Sequence, residues 1–149
     1  MSIFGLGNPQ GGDDAAGILV ARALARRGIG TVEHEGSPLD LIEMWQATDS
    51  VIVIDAVSSG CNPGTIHIWD ASVADFSKDV FRSSTHAFGL AETVRLARTL
   101  DRFPKKLTIY GIEAVHFGAG APPSPAVLEA VERVVDQIAS QVAGATISS

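Results

Sequence analysis

With 149 residues, 46% of them hydrophobic, and a net charge of −6, the chain suits one domain that buries roughly 68–70% of its unfolded surface. The negative balance disfavours nucleic acid as a partner, because phosphates repel it, and the single cysteine excludes an internal disulfide or a multi-cysteine metal site. No apolar run reaches the ~20 residues of a membrane span and nothing at the start has the pattern of a signal peptide, so a cytoplasmic protein away from membranes is expected.

The first element, "SIFGLG" from residue 2, is a short apolar run bounded by glycines and is predicted as a buried strand. The glycine-rich turn that follows, "GLGNPQGGDDAAG", runs into a helix predicted over Ala15–Arg27, with Ile18, Leu19 and Ala25 on its apolar side. Glycine turns between strand and helix usually cradle phosphate, yet this one ends in Asp13 and Asp14. Carboxylates there suit an N-cap and the helix dipole, or a cation. A second strand is expected at Thr31–Glu35. A helix then opens with Ser37 as N-cap, Pro38 first and Asp40 three residues after the cap.

"SVIVIDAV" (50–57) is the clearest strand: an unbroken β-branched run without alternation implies that both faces are covered, as in a parallel sheet. "GTIHIWD" (64–70) follows after only "SSGCNPG", too short for a parallel crossover, so an antiparallel pair with the preceding strand is expected. Residues 71–85 show no clear period. "GLAETVRLARTL" is an amphipathic helix, "KLTIYGIE" a further buried strand, and "PPSPAVLEAVERVVDQIASQV" a long closing helix with Ser124 as N-cap and Pro125 first. Residues 144–149 form a short flexible tail after a domain spanning 1–143. The predicted architecture is a three-layer α/β sandwich: a twisted, mostly parallel sheet of about five strands, one of them antiparallel, with helices on both faces.

Ligands of open α/β sheets bind at the carboxyl ends of the strands, so the polar residues leaving those ends are the candidates. They are Asp13 and Asp14 after the first strand, Asp55 at the end of "VIVI", His86 in "SSTHAFG" before a helix, and Glu113 and His116 after the last strand. Two carboxylates and an imidazole from separate loops make a donor set for a borderline divalent ion such as Ni²⁺, Zn²⁺, Mn²⁺ or Fe²⁺. Asp13 also reads as a turn residue and Asp14 as an N-cap. His34 and His67 lie inside strands as packed or surface side chains, and Cys61 is a spare thiol in a turn. Glu113 and His116 stay undecided.

"GLGNPQGGDDAAG", "VIVIDAVSSG", "SSTHAFGL" and "YGIEAVHFGAGAPPSPAVLEAV", in this order, resemble the hydrogenase maturation proteases, and the likeness spans nearly the whole chain. These are small cytoplasmic endopeptidases that trim the C-terminus of the large subunit of nickel–iron hydrogenases. The resemblance implies that Asp14, Asp55 and His86 contact nickel supplied with the large-subunit precursor. It also implies that the cut is a hydrolysis in which Asp14 or Asp55 serves as base. Members often carry proline after the closing strand, where this chain has Ala114. No periodic exposed apolar stripe is evident, so a monomer is expected.

Three other readings compete. A docking or chaperone protein that binds nickel precursor without cutting would use the same ligands. A dinucleotide-binding module could use Glu35 on a ribose, but Gln10 stands where the fingerprint needs its third glycine, and Asp13 and Asp14 would repel a pyrophosphate. "GLGNP" also resembles peptidyl-tRNA hydrolases, whose expected "T-R-H-N-x-G" continuation and basic face are missing here.

Overall fold

The computed structural model describes residues 1–45, 49–71 and 89–148. Five strands form one sheet in the order β2-β1-β3-β5-β4: β1 is Ser2–Leu6, β2 Val32–His34, β3 Ser50–Val57, β4 Ile66–Asp70 and β5 Lys106–Glu113. β2, β1, β3 and β5 are parallel, and β4 alone runs antiparallel. The helices are α1 (Ala16–Arg26), α2 (Leu41–Met44), α3 (Leu90–Thr99) and α4 (Pro125–Ser148). Short 3₁₀ turns at Gly12–Ala15 and Pro38–Asp40 lead into α1 and α2.

The β-branched run of β3 does what its composition predicts. Val51, Val53 and Val57 face one core, with Leu41 and Ile42 of α2 and Leu90 and Val94 of α3. Ile52, Ile54 and Ala56 face the other, with Val20 and Leu24 of α1 and Val131, Val134 and Ile138 of α4. Alternate side chains point to opposite faces, and burial on both sides leaves no position for a polar stripe. The result is the expected three-layer sandwich. Among the described residues, no helix is long and apolar enough to cross a membrane.

Three expectations need adjusting. β4 is antiparallel but pairs with β5, through Ile66↔Ile112, His67↔Gly111 and Asp70↔Thr108, and not with β3. β5 occupies that edge of β3 along its whole length, from Ser50↔Lys106 to Val57↔Glu113, while β1 holds the other. The loop after β3 therefore passes over the carboxyl end of β5, two strand spacings or about 10 Å. On α1 the buried side is Ile18, Val20, Ala21 and Leu24, with Ala25 exposed; the i, i+3 row of 18, 21 and 24 prevails. The closing helix continues as helical backbone to Ser148, into the residues that composition assigns to a tail.

α1 lies close against the sheet because of Gly17. A Cβ at this position would collide with the backbone carbonyl oxygens of Leu6 in β1 and Ile54 in β3. Its absence lets the start of the helix settle between the two strands whose ends frame the site.

Candidate active site

β1 is flanked by β2 on one side and β3 on the other, so the sheet's switch point lies at the carboxyl ends of β1 and β3. Beyond β1 the chain turns through Gly12, whose φ of +62° is left-handed and whose missing Cβ would stand 2.5 Å from the carbonyl oxygen of His116. The glycine thus permits backbone to approach backbone, where a phosphate-binding turn would leave space for a ligand.

Asp13, the next residue, is fully buried. Its Oδ2 accepts hydrogen bonds from the backbone N–H groups of Val115 and His116 (both 3.0 Å) and from the Ser124 hydroxyl (2.8 Å). Its Oδ1 accepts from the Ser124 N–H at 2.6 Å, and its own N–H donates to the His116 carbonyl at 2.6 Å. Burial pushes its pKa up, but the donors at Ser124, Val115 and His116 outweigh that and hold it below the ordinary aspartate value. Asp13 is a clamp between the first turn and the loop entering α4. Ser124 precedes α4 as predicted, with its side chain turned to Asp13.

Asp14 is partly exposed on the same 3₁₀ turn; its N–H donates to Gly11 O at 3.1 Å and its carbonyl accepts from Asn8 N–H at 3.2 Å. The 3₁₀ turn is capped at Gly11 and α1 at Ala15, neither through a side chain. Asp55 is fully buried inside β3, two residues before the strand ends. By alternation its side chain lies on the face of Val53 and Val57, toward α2 and α3, and its Oδ1 accepts from the Ala56 N–H at 2.8 Å. His86 lies outside the described residues. Asp14 and Asp55 are delivered by neighbouring strands, β1 and β3.

A second polar group gathers at the carboxyl end of β5. Glu113 is 1% exposed; its Oε2 accepts from Ser59 N–H at 2.7 Å, and its Oε1 from the Ser59 hydroxyl at 2.6 Å. His67 Nε2 lies 3.1 Å from the same Oε1, and its ring stacks on Trp69 with centroids 5.3 Å apart. The Ser59 hydroxyl also lies 3.5 Å from the thiol of the exposed Cys61. By contrast, His34 Nε2 is 3.0 Å from both the Ser37 carbonyl and an Asp40 carboxylate oxygen, a local tie at the end of β2, and the exposed His116 serves through its backbone.

The family model for hydrogenase maturation proteases (HycI) matches residues 31–141. This chain belongs to the hydrogenase maturation protease family. The hydrogenase 2 maturation protease of Escherichia coli (strain K12) is 29% identical over 144 residues, 91% of this chain and 86% of that protein. The hydrogenase expression/formation protein HupD of Thiocapsa roseopersicina is 26% identical over 92% of this chain, which spans 66% of its length. The [NiFe] hydrogenase maturation protease HybD from Thermococcus kodakarensis has a similar structure. Its TM-score is 0.75 at 25% identity, covering 95% of this chain and 99% of that one.

In this maturation protease the matched segment contains Asp55 and His86, whereas Asp14 precedes it. Asp14 and Asp55 come from the neighbouring strands β1 and β3 and their exits, and the hydrogen bonds of Asp13 give it a structural role. Glu35, the acid a dinucleotide reading needs, is exposed beyond β2. Sequence reasoning missed Ser59 and the meeting of Cys61, His67 and Glu113. The alternation in "IHIWD" places His67 and Trp69 on one face, a signal available beforehand, but the partner of His67, Glu113, is supplied by a strand much later in the chain.

Proposed function

We propose that this maturation protease removes the C-terminal extension of a nickel-loaded nickel–iron hydrogenase large-subunit precursor, and that Asp14, Asp55 and His86 contact the nickel carried by that substrate. The observation that carries the reading is Asp55: a fully buried carboxylate near the carboxyl end of β3, beside the switch point. A buried carboxylate is costly to ionise, and a cation brought next to it is attracted more strongly than in water. A precursor without metal would leave Asp14 and Asp55 to repel one another; a metallated one would relieve that repulsion. Selection of loaded substrate follows from this electrostatic difference.

For the cut, the substrate's nickel supplies Lewis-acid polarisation of the scissile carbonyl or of an attacking water. Asp14, partly exposed, and Asp55, buried, are the proposed catalytic acids, one of which takes the proton of that water. The protein is proposed to act as a cytoplasmic monomer.

Intact-mass spectrometry of the large-subunit precursor, incubated nickel-loaded and nickel-free, tests this. Loss of the extension in the loaded sample alone is the expected outcome. No loss in either sample, with folded protein and the cognate precursor, would favour a non-hydrolytic docking role. Loss in both would remove metal recognition from the function of the acids.

A further inference from the structure

We propose that Cys61, His67 and Glu113 form a second cation site, one that takes a borderline ion of the Zn²⁺ class, separate from the acids assigned to the substrate's nickel. A thiol sulfur, an imidazole nitrogen and a carboxylate oxygen of these residues all lie within 4.8 Å of one another. Zn–S bonds near 2.3 Å and Zn–N or Zn–O bonds near 2.0–2.2 Å place two donors of one tetrahedral ion about 3.3–3.6 Å apart. His67 Nε2 and Glu113 Oε1, at 3.1 Å, are already near that spacing. Cys61 is exposed on a loop, and its sulfur lies within 4.8 Å of both.

The chemistry of the donor set selects the ion. Thiolate and imidazole favour zinc and its neighbours over magnesium or calcium. A thiolate and a carboxylate together neutralise a divalent charge, which gives the buried Glu113 a cationic partner. Three protein donors leave a fourth tetrahedral position open.

The surroundings hold the donors in place, as outer groups of metal sites do. Ser59 fixes both oxygens of Glu113 through its N–H and its hydroxyl. Trp69 stacks on the His67 ring at an interplanar angle of 23°. The loop that carries Cys61 is tied down on either side of it: before it Ser59 N–H donates to Glu113 Oε2 at 2.7 Å, and after it Gly64 N–H donates to the Glu113 carbonyl at 2.9 Å.

Asp55, Gly111 and His67 occupy one register row across β3, β5 and β4. Gly111 contributes no side chain between them, so the two sites lie side by side on one face of the sheet, about 10 Å apart by strand spacing.

Cobalt(II) titration of the reduced protein tests the site. Cys61 is the chain's sole cysteine, so any thiolate-to-cobalt charge-transfer absorption comes from it. The expected result is a charge-transfer band at one cobalt per chain, displaced by Zn²⁺. Affinity should fall by at least about tenfold in His67→Ala and in Glu113→Gln, and the band should persist in Asp55→Asn. Zn²⁺ competition against a chromophoric chelator should show the same drop for Cys61→Ala, whose exposed position leaves folding intact; this arm decides the matter if Glu113→Gln does not fold. Three outcomes would overturn the proposal. One is no band at cobalt concentrations up to about 1 mM. Another is an affinity unchanged by the His67 and Glu113 substitutions, which would mean an adventitious thiol. The third is one cobalt per two chains, a metal bridging molecules through Cys61. Because none of these readouts is proteolysis, failure here leaves the protease reading untouched.

Discussion

Asp13 and Asp14 are adjacent and chemically identical, yet their environments assign them opposite work. Asp13 accepts four hydrogen bonds from Val115, His116 and Ser124 and is buried. Removing it in Asp13→Ala strands several donors and should cost about 3 kcal/mol, measured by urea denaturation. Those donors hold its folded pKa below the ordinary carboxylate range, under the unfolded value of about 3.9. Its stabilisation is therefore complete above that unfolded value and is lost as pH falls through the folded pKa, because the unfolded chain takes the proton first. Unfolding midpoints measured down from pH 5 should decline more steeply for the wild type than for Asp13→Asn. Asp55 behaves differently. Asp55→Asn preserves shape and removes charge, so processing of the precursor should be abolished while circular dichroism and the urea midpoint stay near wild type. Cleavage by a folded Asp55→Asn protein would take Asp55 out of the mechanism.

Among the elements, α1 and β3 set the precision of the rim. α1 starts hard against the strands because Gly17 has no Cβ to meet the Leu6 and Ile54 carbonyl oxygens. Gly17→Ala should push the helix away at a cost of about 3 kcal/mol, the upper end of overpacking effects, and lower the melting temperature by roughly 6–12 °C in a chain of this size. The substitution moves the turn carrying Asp14 relative to Asp55, so activity at a temperature where the variant is folded should fall as well. The partnership of β4 with β5 shows how far local reading extends. "GTIHIWD" announces a strand, and its short connection announces the antiparallel direction. The partner itself comes from Lys106–Glu113, and nothing within the local window names it.

At the scale of the whole molecule, one sheet supports two cores. Val94 and Val134 lie on opposite sides of it, and the strands between them are common to both. Val94→Ala and Val134→Ala should each lower stability by about 1–3 kcal/mol, and each variant should still unfold in one transition that coincides by near- and far-ultraviolet circular dichroism. Separate transitions would show that the two sides fold independently. The sequence by itself determined the layer architecture. A β-branched run without alternation, 3.6-residue periods in the helices and connection lengths are local signals, and each reports a single element's surroundings. It also carried the family resemblance, through motifs whose order survives in the chain. Only the tertiary structure decided that Asp13 is a clamp, since it acquires that role from Val115, His116 and Ser124, about a hundred residues away. The same holds for Cys61, His67 and Glu113, which have unremarkable neighbours in the chain. They become one cluster because β5 enters the sheet between β3 and β4, and pairing between distant strands is a property of the folded sheet.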